Sequence, residues 1–305
     1  MLVLKFCGGL GNQMYQYAYG LKLKKYFPEC IIKKDTRDFR TTKYHYGYEI
    51  EKIFGNPAGF EEAGVRELKE LKGELPVIFG GKISRITEPI RKTINKKFFL
   101  LKKESILDEQ FVDGFQLIKL YSSHFLERDF YLQGFWADIN YYLDDLELLR
   151  SSFVFPRISD SRNMELIEKI QSTSSISVHI RRGDYVNSEF DVLTLEYYKK
   201  AIKYIENIMP NSHYFFFSDD VGYIEQNFRF IKNKTMVNWN RGKESWKDMQ
   251  MMSCCRGNII ANSTFSQWGA LLNCNKDKIV IYPDKKMKNI EMEELNIPGW
   301  YKAEV

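Results

Sequence analysis

The stretch Ser175-Ile-Ser-Val-His-Ile-Arg-Arg-Gly-Asp-Tyr185 decides the fold of the second half of this chain. Its first six residues alternate between polar and apolar side chains, a pattern typical of a β-strand with one face in a core. Ile176, Val178 and Ile180 would form that face, and His179 would lie with the two serines on the polar face. The pattern predicts a strand that ends at the arginines.

Two adjacent arginines, Arg181 and Arg182, follow this strand directly. Paired guanidinium groups need anionic partners, and their planar forks match the oxygens of a diphosphate. We expect Asp184 to hold one arginine in place, and Gly183 permits a tight turn or a close approach of a ligand to the backbone. A purely structural arginine–aspartate network explains the same residues, and the motif alone does not separate the two interpretations.

Two further polar segments follow predicted strands in this half of the chain. Ser218-Asp219-Asp220 comes after the apolar run Tyr214–Phe217, and Asn262-Ser263-Thr264 comes after Asn258–Ala261. Strands that alternate with helices predict a parallel sheet covered on both faces. Ligands bind such sheets beyond the carboxyl ends of the strands. The polar segments therefore predict one shared site.

The amino terminus begins with an apolar strand, Leu2–Phe6, followed by a glycine-rich turn and a helix predicted over about 12–27. The glycines Gly9 and Gly11 do not complete a dinucleotide fingerprint, because Met14 stands where the third glycine belongs. The chain also lacks the Gly-Lys-Ser/Thr of a P-loop, which argues against a P-loop nucleotidase.

This glycine turn has two interpretations. It can bring the backbone and the side-chain amides of Asn12 and Gln13 close to a sugar. Alternatively, it is a tight turn in which Asn12 caps the following helix.

The 305 residues suffice for two domains, and 44% hydrophobic and 28% charged residues are typical of a globular protein. The turn-like segment Phe155-Pro-Arg-Ile-Ser-Asp160 predicts a boundary, with domains at 1–155 and 156–305. A net charge of +5 suits a small polyanionic substrate and is too weak to argue for nucleic-acid binding.

Five cysteines at these spacings fit neither a disulfide framework nor a zinc site, so reduced thiols in the cytoplasm are expected. No apolar run predicts a signal peptide or a membrane span. Residues 82–103 are basic and place isoleucines at helical spacing around Pro89. This segment predicts either peripheral contact with the inner membrane face or an ordinary solvated helix.

Four blocks of sequence, taken in order, resemble the signatures of the alpha-1,2-fucosyltransferases, glycosyltransferase family 11. They are Gly8–Gln13, His179–Tyr185, Phe217–Asp220 and Asn262–Ala270, with a softer match at Leu132–Trp136. The His179–Tyr185 signature is shared loosely with alpha-1,6- and protein O-fucosyltransferases. The resemblance implies a GT-B-like α/β fold, with an acceptor-side N-terminal domain and a C-terminal domain that binds a GDP-sugar on a Rossmann-like parallel sheet.

The resemblance also implies the reaction. GDP-fucose would be the donor, the 2-hydroxyl of a galactose-containing glycan the acceptor, and no metal or other cofactor would be required. Animal relatives carry a Golgi anchor, so a chain without one resembles a bacterial, cytoplasmic enzyme of surface polysaccharide assembly. A lipid-linked acceptor would suit the basic segment 82–103.

The chemistry of such a donor assigns roles to the residues. An arginine would stabilise the leaving diphosphate, the helix start at Ser263–Phe265 would offer N–H groups and hydroxyls to phosphate, and Asp219 or Asp220 would accept from guanine. The candidate catalytic residues are Arg181, Arg182, Asn12 and His179. The candidate substrate-binding residues are Gly9, Gly11, Gln13, Asp184, Ser218, Asp219, Asp220, Asn262, Ser263, Thr264, Phe265 and Trp268.

The sequence does not identify the general base. His179 is chemically suited, but a lone histidine is more often structural, and Asn12 can orient groups but is a poor base. Phe265 and Trp268 fit a core as well as a donor contact. The alternatives to the main interpretation are a fucosyltransferase of another linkage, such as alpha-1,6, and a non-catalytic protein that binds a nucleotide sugar or glycan without turnover.

Overall fold

The computed structural model describes residues 1–41, 45–72, 87, 89–90, 105–110, 112–124 and 128–305. The chain divides into two compact units, Met1–Val154 and Phe155–Val305, one residue before the expected boundary. Most of the basic segment 82–103 lies outside the described residues, and its contact with membranes stays a prediction. Within the described ranges, no helix has the length and apolar character needed to cross a membrane.

The first unit is built on a five-stranded parallel sheet in the order β3-β2-β1-β5-β4. Its strands are β1 (Leu2–Lys5), β2 (Ile32–Asp35), β3 (Glu61–Glu62), β4 (Ile106–Asp108) and β5 (Phe130–Gln133). Its described α-helices are α1 (Leu10–Tyr26), α2 (Ile50–Phe54), α3 (Val65–Lys72), α4 (Gly114–His124) and α5 (Leu146–Ser152). Strand order changes direction beside β1, which places a topological switch point at the end of this strand.

The second unit contains a six-stranded parallel sheet in the order β13-β10-β9-β6-β7-β8. These strands are β6 (Ser175–Ile180), β7 (His213–Ser218), β8 (Lys234–Val237), β9 (Gly257–Ile259), β10 (Ile279–Pro283) and β13 (Trp300–Ala303); β11 (Lys285–Met287) and β12 (Ile290–Glu291) form a separate antiparallel pair. The helices are α6 (Ser161–Ser172), α7 (Leu195–Ile208), α8 (Val221–Asn227), α9 (Trp246–Cys254) and α10 (Thr264–Leu271). This strand order is that of a Rossmann sheet, with its switch point between β6 and β9.

Strand β6 is buried on both faces, which corrects the expectation of one core face. Ile176, Val178 and Ile180 pack in one apolar cluster, while Ser177 and His179 on the opposite face are 2% and 6% exposed. The Ser177 hydroxyl accepts a hydrogen bond from Asn258 Nδ2 at 2.7 Å. A central parallel strand is covered by helices on both sides, and polar residues there need partners within the protein.

Two local features complete the second unit. Helix α9 begins at Trp246, because the preceding residues Gly242–Glu244 form a 3₁₀ turn. The carboxyl-terminal tail supplies the edge strand β13, which pairs in parallel with β10.

Candidate functional site

The turn after β6 holds Arg181 between two carboxylates. Arg181 Nη2 lies 2.7 Å from Asp184 Oδ1, and Nη1 lies 3.2 Å from Asp219 Oδ2. The expected pairing of Asp184 with an arginine is therefore present. The side chain keeps 34% exposure, so the guanidinium group remains accessible to a ligand.

Arg182 is held by a different set of contacts. Its Nε donates to Asp220 Oδ2 at 3.0 Å, and the guanidinium carbon lies 4.1 Å from the centre of the Tyr223 ring. Each guanidinium group has five N–H donors. The contacts with described residues engage two nitrogens of Arg181 and one of Arg182, so donors remain for phosphate oxygens.

Asp219 orders this turn from the neighbouring strand. Its carboxylate accepts from the backbone N–H groups of Arg182, at 3.0 Å, and Gly183, at 3.1 Å. A Cβ atom on Gly183 would lie 2.6 Å from Asp219 Oδ2, so any larger residue at this position would displace the carboxylate. Ile180 pairs with Ser218, which brings the ends of β6 and β7 to the same edge.

Asp220 is the N-cap of α8. Its Oδ1 accepts from the Tyr223 N–H at 2.9 Å, and its own N–H donates to Ser218 Oγ at 3.0 Å. The hydrogen bond from Tyr223, together with Arg182, lowers the pKa of Asp220 although burial opposes this. Asp219 and Asp220 are thus arginine partners, and their role in binding guanine stays a prediction.

On the other side of the switch point, Asn262 follows β9 and forms hydrogen bonds to two loops. Its Nδ2 donates to the Phe190 carbonyl at 3.0 Å and to the Lys286 carbonyl at 2.9 Å. The residue is 7% exposed. These contacts anchor the loop that follows the arginine turn, which is a structural role for the Asn262 amide nitrogen.

The start of α10 is linked to the arginine turn through Tyr185. Ser263 is the N-cap residue, but its side chain makes no cap hydrogen bond. Burial raises the Tyr185 pKa, and the nearby Ser263 side chain lowers it by a smaller amount. The Tyr185 ring stacks on Phe190 at 5.1 Å and lies 5.8 Å from the Arg181 guanidinium carbon.

Tyr185 is a site residue for which the sequence pattern predicted no role. Its place in the opening stretch, two residues after Gly183, is the signal that could have indicated one. Thr264 and Phe265 begin α10 beside Ser263, so the predicted phosphate-binding segment does start a helix.

His179 lies behind this edge and not on an open polar face. Its ring is 5.8 Å from that of Phe265, and its buried Nδ1 has no hydrogen-bond partner among the described residues. Burial, with the nearby positive charge of Arg181, lowers the His179 pKa to about 3. Trp268 has no exposed surface and lies in the core, which is one of the two roles expected for it.

The glycine turn of the first unit excludes one of its two sequence interpretations. Helix α1 begins at Leu10 with Gly9 as its N-cap, so Asn12 lies inside the first turn and the expectation that it caps the helix is wrong. Gly8 has φ +79°, and a Cβ there would lie 2.6 Å from Asn12 Nδ2. Gly11 is buried in the same turn. Asn12 therefore packs over the turn.

Gln13 is fully buried and serves the fold. Its Nε2 donates to the carbonyls of Gly8 and Gly47, both at 2.9 Å, and its Oε1 accepts from the Glu49 N–H at 2.8 Å. These three contacts clamp residues 47–49 onto the glycine turn. The amide is thus committed to backbone groups, which corrects the expectation that it approaches a sugar.

The softer match at Leu132–Trp136 is a strained turn after β5. Trp136 has φ +53° and stacks on Tyr19 with ring centroids 4.4 Å apart. The N–H groups of Phe135 and Trp136 donate to Glu109 Oε2, at 2.6 and 2.8 Å. One carboxylate thus holds a conformation that a tryptophan rarely adopts.

The second unit therefore gathers cationic donors, hydroxyls and a helix start around one switch point, an arrangement that can bind a diphosphate. Asn12, Gly9, Gly11 and Gln13 belong to the first unit. Among the described residues, no group of three or more histidine, cysteine, aspartate or glutamate side chains is arranged to hold a metal ion.

Comparison with known proteins gives matches over nearly the whole chain. The family model described as "Glycosyl transferase family 11" matches residues 1–304. A relative from Escherichia coli named "O-antigen biosynthesis glycosyltransferase WbnK" is 30% identical over 314 residues, covering 96% of this chain and 97% of that protein. A second, from the same organism and named "Alpha-1,2-colitosyltransferase", is 32% identical over 303 residues, covering 97% and 94%.

Solved structures show the fold. The fucosyltransferase NodZ from Bradyrhizobium has a TM-score of 0.54 at 16% identity, covering 89% of this chain and 92% of that one. A structure of NodZ alpha-1,6-fucosyltransferase soaked with GDP-fucose gives the same TM-score and identity over 89% and 91% of the two chains. The expected GT-B-like α/β fold with Rossmann-like parallel sheets is confirmed.

Proposed function

Because the chain belongs to glycosyl transferase family 11, we propose that it moves L-fucose from GDP-fucose to the 2-hydroxyl of a galactoside, with inversion at the transferred carbon. The observation that carries this proposal is the arginine pair at the switch point of the second unit. Arg181 and Arg182 stand beyond the carboxyl end of β6, where parallel sheets bind their ligands.

The donor diphosphate gains negative charge as the glycosidic bond breaks. Two guanidinium groups, held by Asp184, Asp219 and Asp220, are fixed in place before the reaction and do not need to reorganise. Ser263 and the first amides of α10 add neutral donors from the other side of the switch point. Because these groups can carry the charge, the proposed reaction needs no metal ion.

In the proposed step, the acceptor oxygen forms a bond to the anomeric carbon while the bond to the diphosphate oxygen breaks. The electron pair of the broken bond leaves with GDP, and the hydroxyl proton passes to a base. A β-linked donor then gives an α-linked product. His179 fits the role of base poorly, because it is buried and its pKa is about 3.

A second donor is favoured by one comparison. The relative that is 32% identical is named an alpha-1,2-colitosyltransferase, and colitose differs from fucose by a missing hydroxyl group. Both candidate reactions share the guanosine diphosphate leaving group and the alpha-1,2 linkage. The name of the other relative supports an acceptor in O-antigen assembly.

The test is a transfer reaction in excess EDTA. The protein is incubated with GDP-fucose or GDP-colitose and a panel of galactosides, while GDP release and product linkage are followed by NMR. We expect galactoside-dependent GDP release and an alpha-1,2 product with fucose. Faster transfer of colitose would identify GDP-colitose as the donor, and an alpha-1,6 product would contradict the proposed alpha-1,2 linkage. GDP binding without transfer to any galactoside would contradict the assignment as an enzyme.

A further inference from the structure

Glu49 is a carboxylate for which the fold has no evident use. The residue is 5% exposed and is the N-cap of α2, yet its side chain makes no cap hydrogen bond. No hydrogen bond or ion pair to this carboxylate occurs among the described residues. An acidic group in such a place is costly for folding, because a buried charge without a partner destabilises the native state.

The backbone of Glu49, in contrast, is firmly held. Its N–H donates to Gln13 Oε1 at 2.8 Å, and its carbonyl accepts from the N–H groups of Lys52 and Ile53, both at 3.1 Å. The same Gln13 amide donates to the Gly8 carbonyl. Glu49 is therefore fixed beside the glycine turn that follows β1, at the switch point of the first sheet, where ligands of parallel sheets bind.

The surroundings of Glu49 adjust its acidity to neutral pH. Burial raises the pKa of this carboxyl to about 7. The positive charge of Lys52 acts in the opposite direction and lowers the pKa by a smaller amount. A base works best when its pKa lies near the operating pH. Neither Asn12 nor His179 has this property.

We propose that Glu49 is the general base that takes the proton from the acceptor hydroxyl. This inference rests on the proposed sugar transfer. As the acceptor oxygen bonds to the anomeric carbon, its proton moves to the Glu49 carboxylate, and the electron pair of the broken glycosidic bond departs with GDP. The protonated Glu49 then releases its proton to water, which restores the base for the next turnover.

The test compares Glu49→Gln with the wild-type protein in the transfer reaction. The amide has the same shape but cannot accept the proton, so kcat should fall by about 10²–10⁴-fold, while GDP affinity stays within about twofold. For the wild type, kcat/KM should rise with pH through an apparent pKa near 7, and this limb should be absent from the residual activity of the variant.

Two further variants complete the experiment. Glu49→Asp keeps the carboxylate and should retain more activity than Glu49→Gln. Glu61→Gln removes an exposed carboxylate of the same unit and should match the wild type. Wild-type kcat and an unchanged pH limb in Glu49→Gln would overturn the role of Glu49 and leave the proposed function standing. A wild-type protein that transfers no sugar would overturn both.

Stability distinguishes a base from a structural residue. Between the ordinary glutamate pKa and about 7, the unfolded chain has released the Glu49 proton while the folded chain retains it. Folding stability therefore falls as pH rises through this range, and Glu49→Gln should remove the fall. A variant that is inactive and also less stable at pH 8 would contradict the proposal, because that result indicates a structural role.

Discussion

Asp219 shows how one residue organises the candidate donor site. Its carboxylate accepts hydrogen bonds from two backbone N–H groups of the turn after β6 and also forms an ion pair with Arg181. The sequence indicated an acidic group here but favoured a contact with guanine. The structural role depends on the parallel pairing of β6 with β7, which brings together residues far apart in the chain.

Replacing Gly183 with alanine tests this arrangement. The new Cβ would lie 2.6 Å from Asp219 Oδ2, so the carboxylate must move and release the turn. We expect the free energy of unfolding to fall by about 1–3 kcal/mol and GDP affinity to fall roughly tenfold. Both are measured by denaturant unfolding and by calorimetric titration.

Gly222→Ala is the matched control for this substitution. Its Cβ would meet no atom nearer than 3.7 Å, and the residue lies in α8, where alanine is favoured by up to about 1 kcal/mol. Gly222→Ala should keep its GDP affinity and be at least as stable as the wild type. Unchanged stability and GDP binding in Gly183→Ala would show that the close approach at Gly183 has no importance for the site.

The ends of the strands could be predicted from the sequence, and the packing around them could not. Local alternation and apolar runs identified the strands before Arg181, Asp219 and Asn262, because strand patterns depend on adjacent residues. The burial of the polar face of β6 depends on helices that come from distant segments. The tail that forms β13 carries no clear pattern of its own, so its place at the sheet edge follows only from pairing with β10.

Some parts of the candidate site had no signal in the sequence. Gln13 matches a family signature, but its three bonds to Gly8, Gly47 and Glu49 depend on a loop that returns to the glycine turn. Glu49 stands in no recognised motif. Only the burial of its carboxylate distinguishes it from the many solvated acidic residues of the chain.

The Asn262 side chain joins two loops beside the candidate donor site, and its replacement tests that contact. Its Nδ2 holds two carbonyls, so Asn262→Ala should lower the free energy of unfolding by about 1–3 kcal/mol and weaken GDP binding. Asn262→Asp should be worse, because a carboxylate would face the same carbonyl oxygens. If either variant instead lost GDP binding at unchanged stability, Asn262 would act by direct contact with the ligand and not by anchoring the loops.

For the molecule as a whole, two parallel sheets each present a switch point with its own chemistry. The described edge of the second unit carries the arginine pair, and that of the first carries Asn12 and Glu49 beside a glycine turn. Family membership and the fold are established by comparison, whereas the donor, the linkage and the base are proposals that follow from these residues.

The most direct measurement is a calorimetric titration of GDP and GMP in EDTA, with the wild type, Arg181→Ala, Arg182→Ala and the exposed-surface control Arg66→Ala. We expect GDP to bind the wild type more tightly than GMP does. We expect the GDP affinity of Arg181→Ala, Arg182→Ala or both to fall roughly 10–100-fold, the contribution of a charge-assisted phosphate contact, and that of Arg66→Ala to stay unchanged. Wild-type GDP affinity in both Arg181→Ala and Arg182→Ala would contradict the assignment of the diphosphate to this turn.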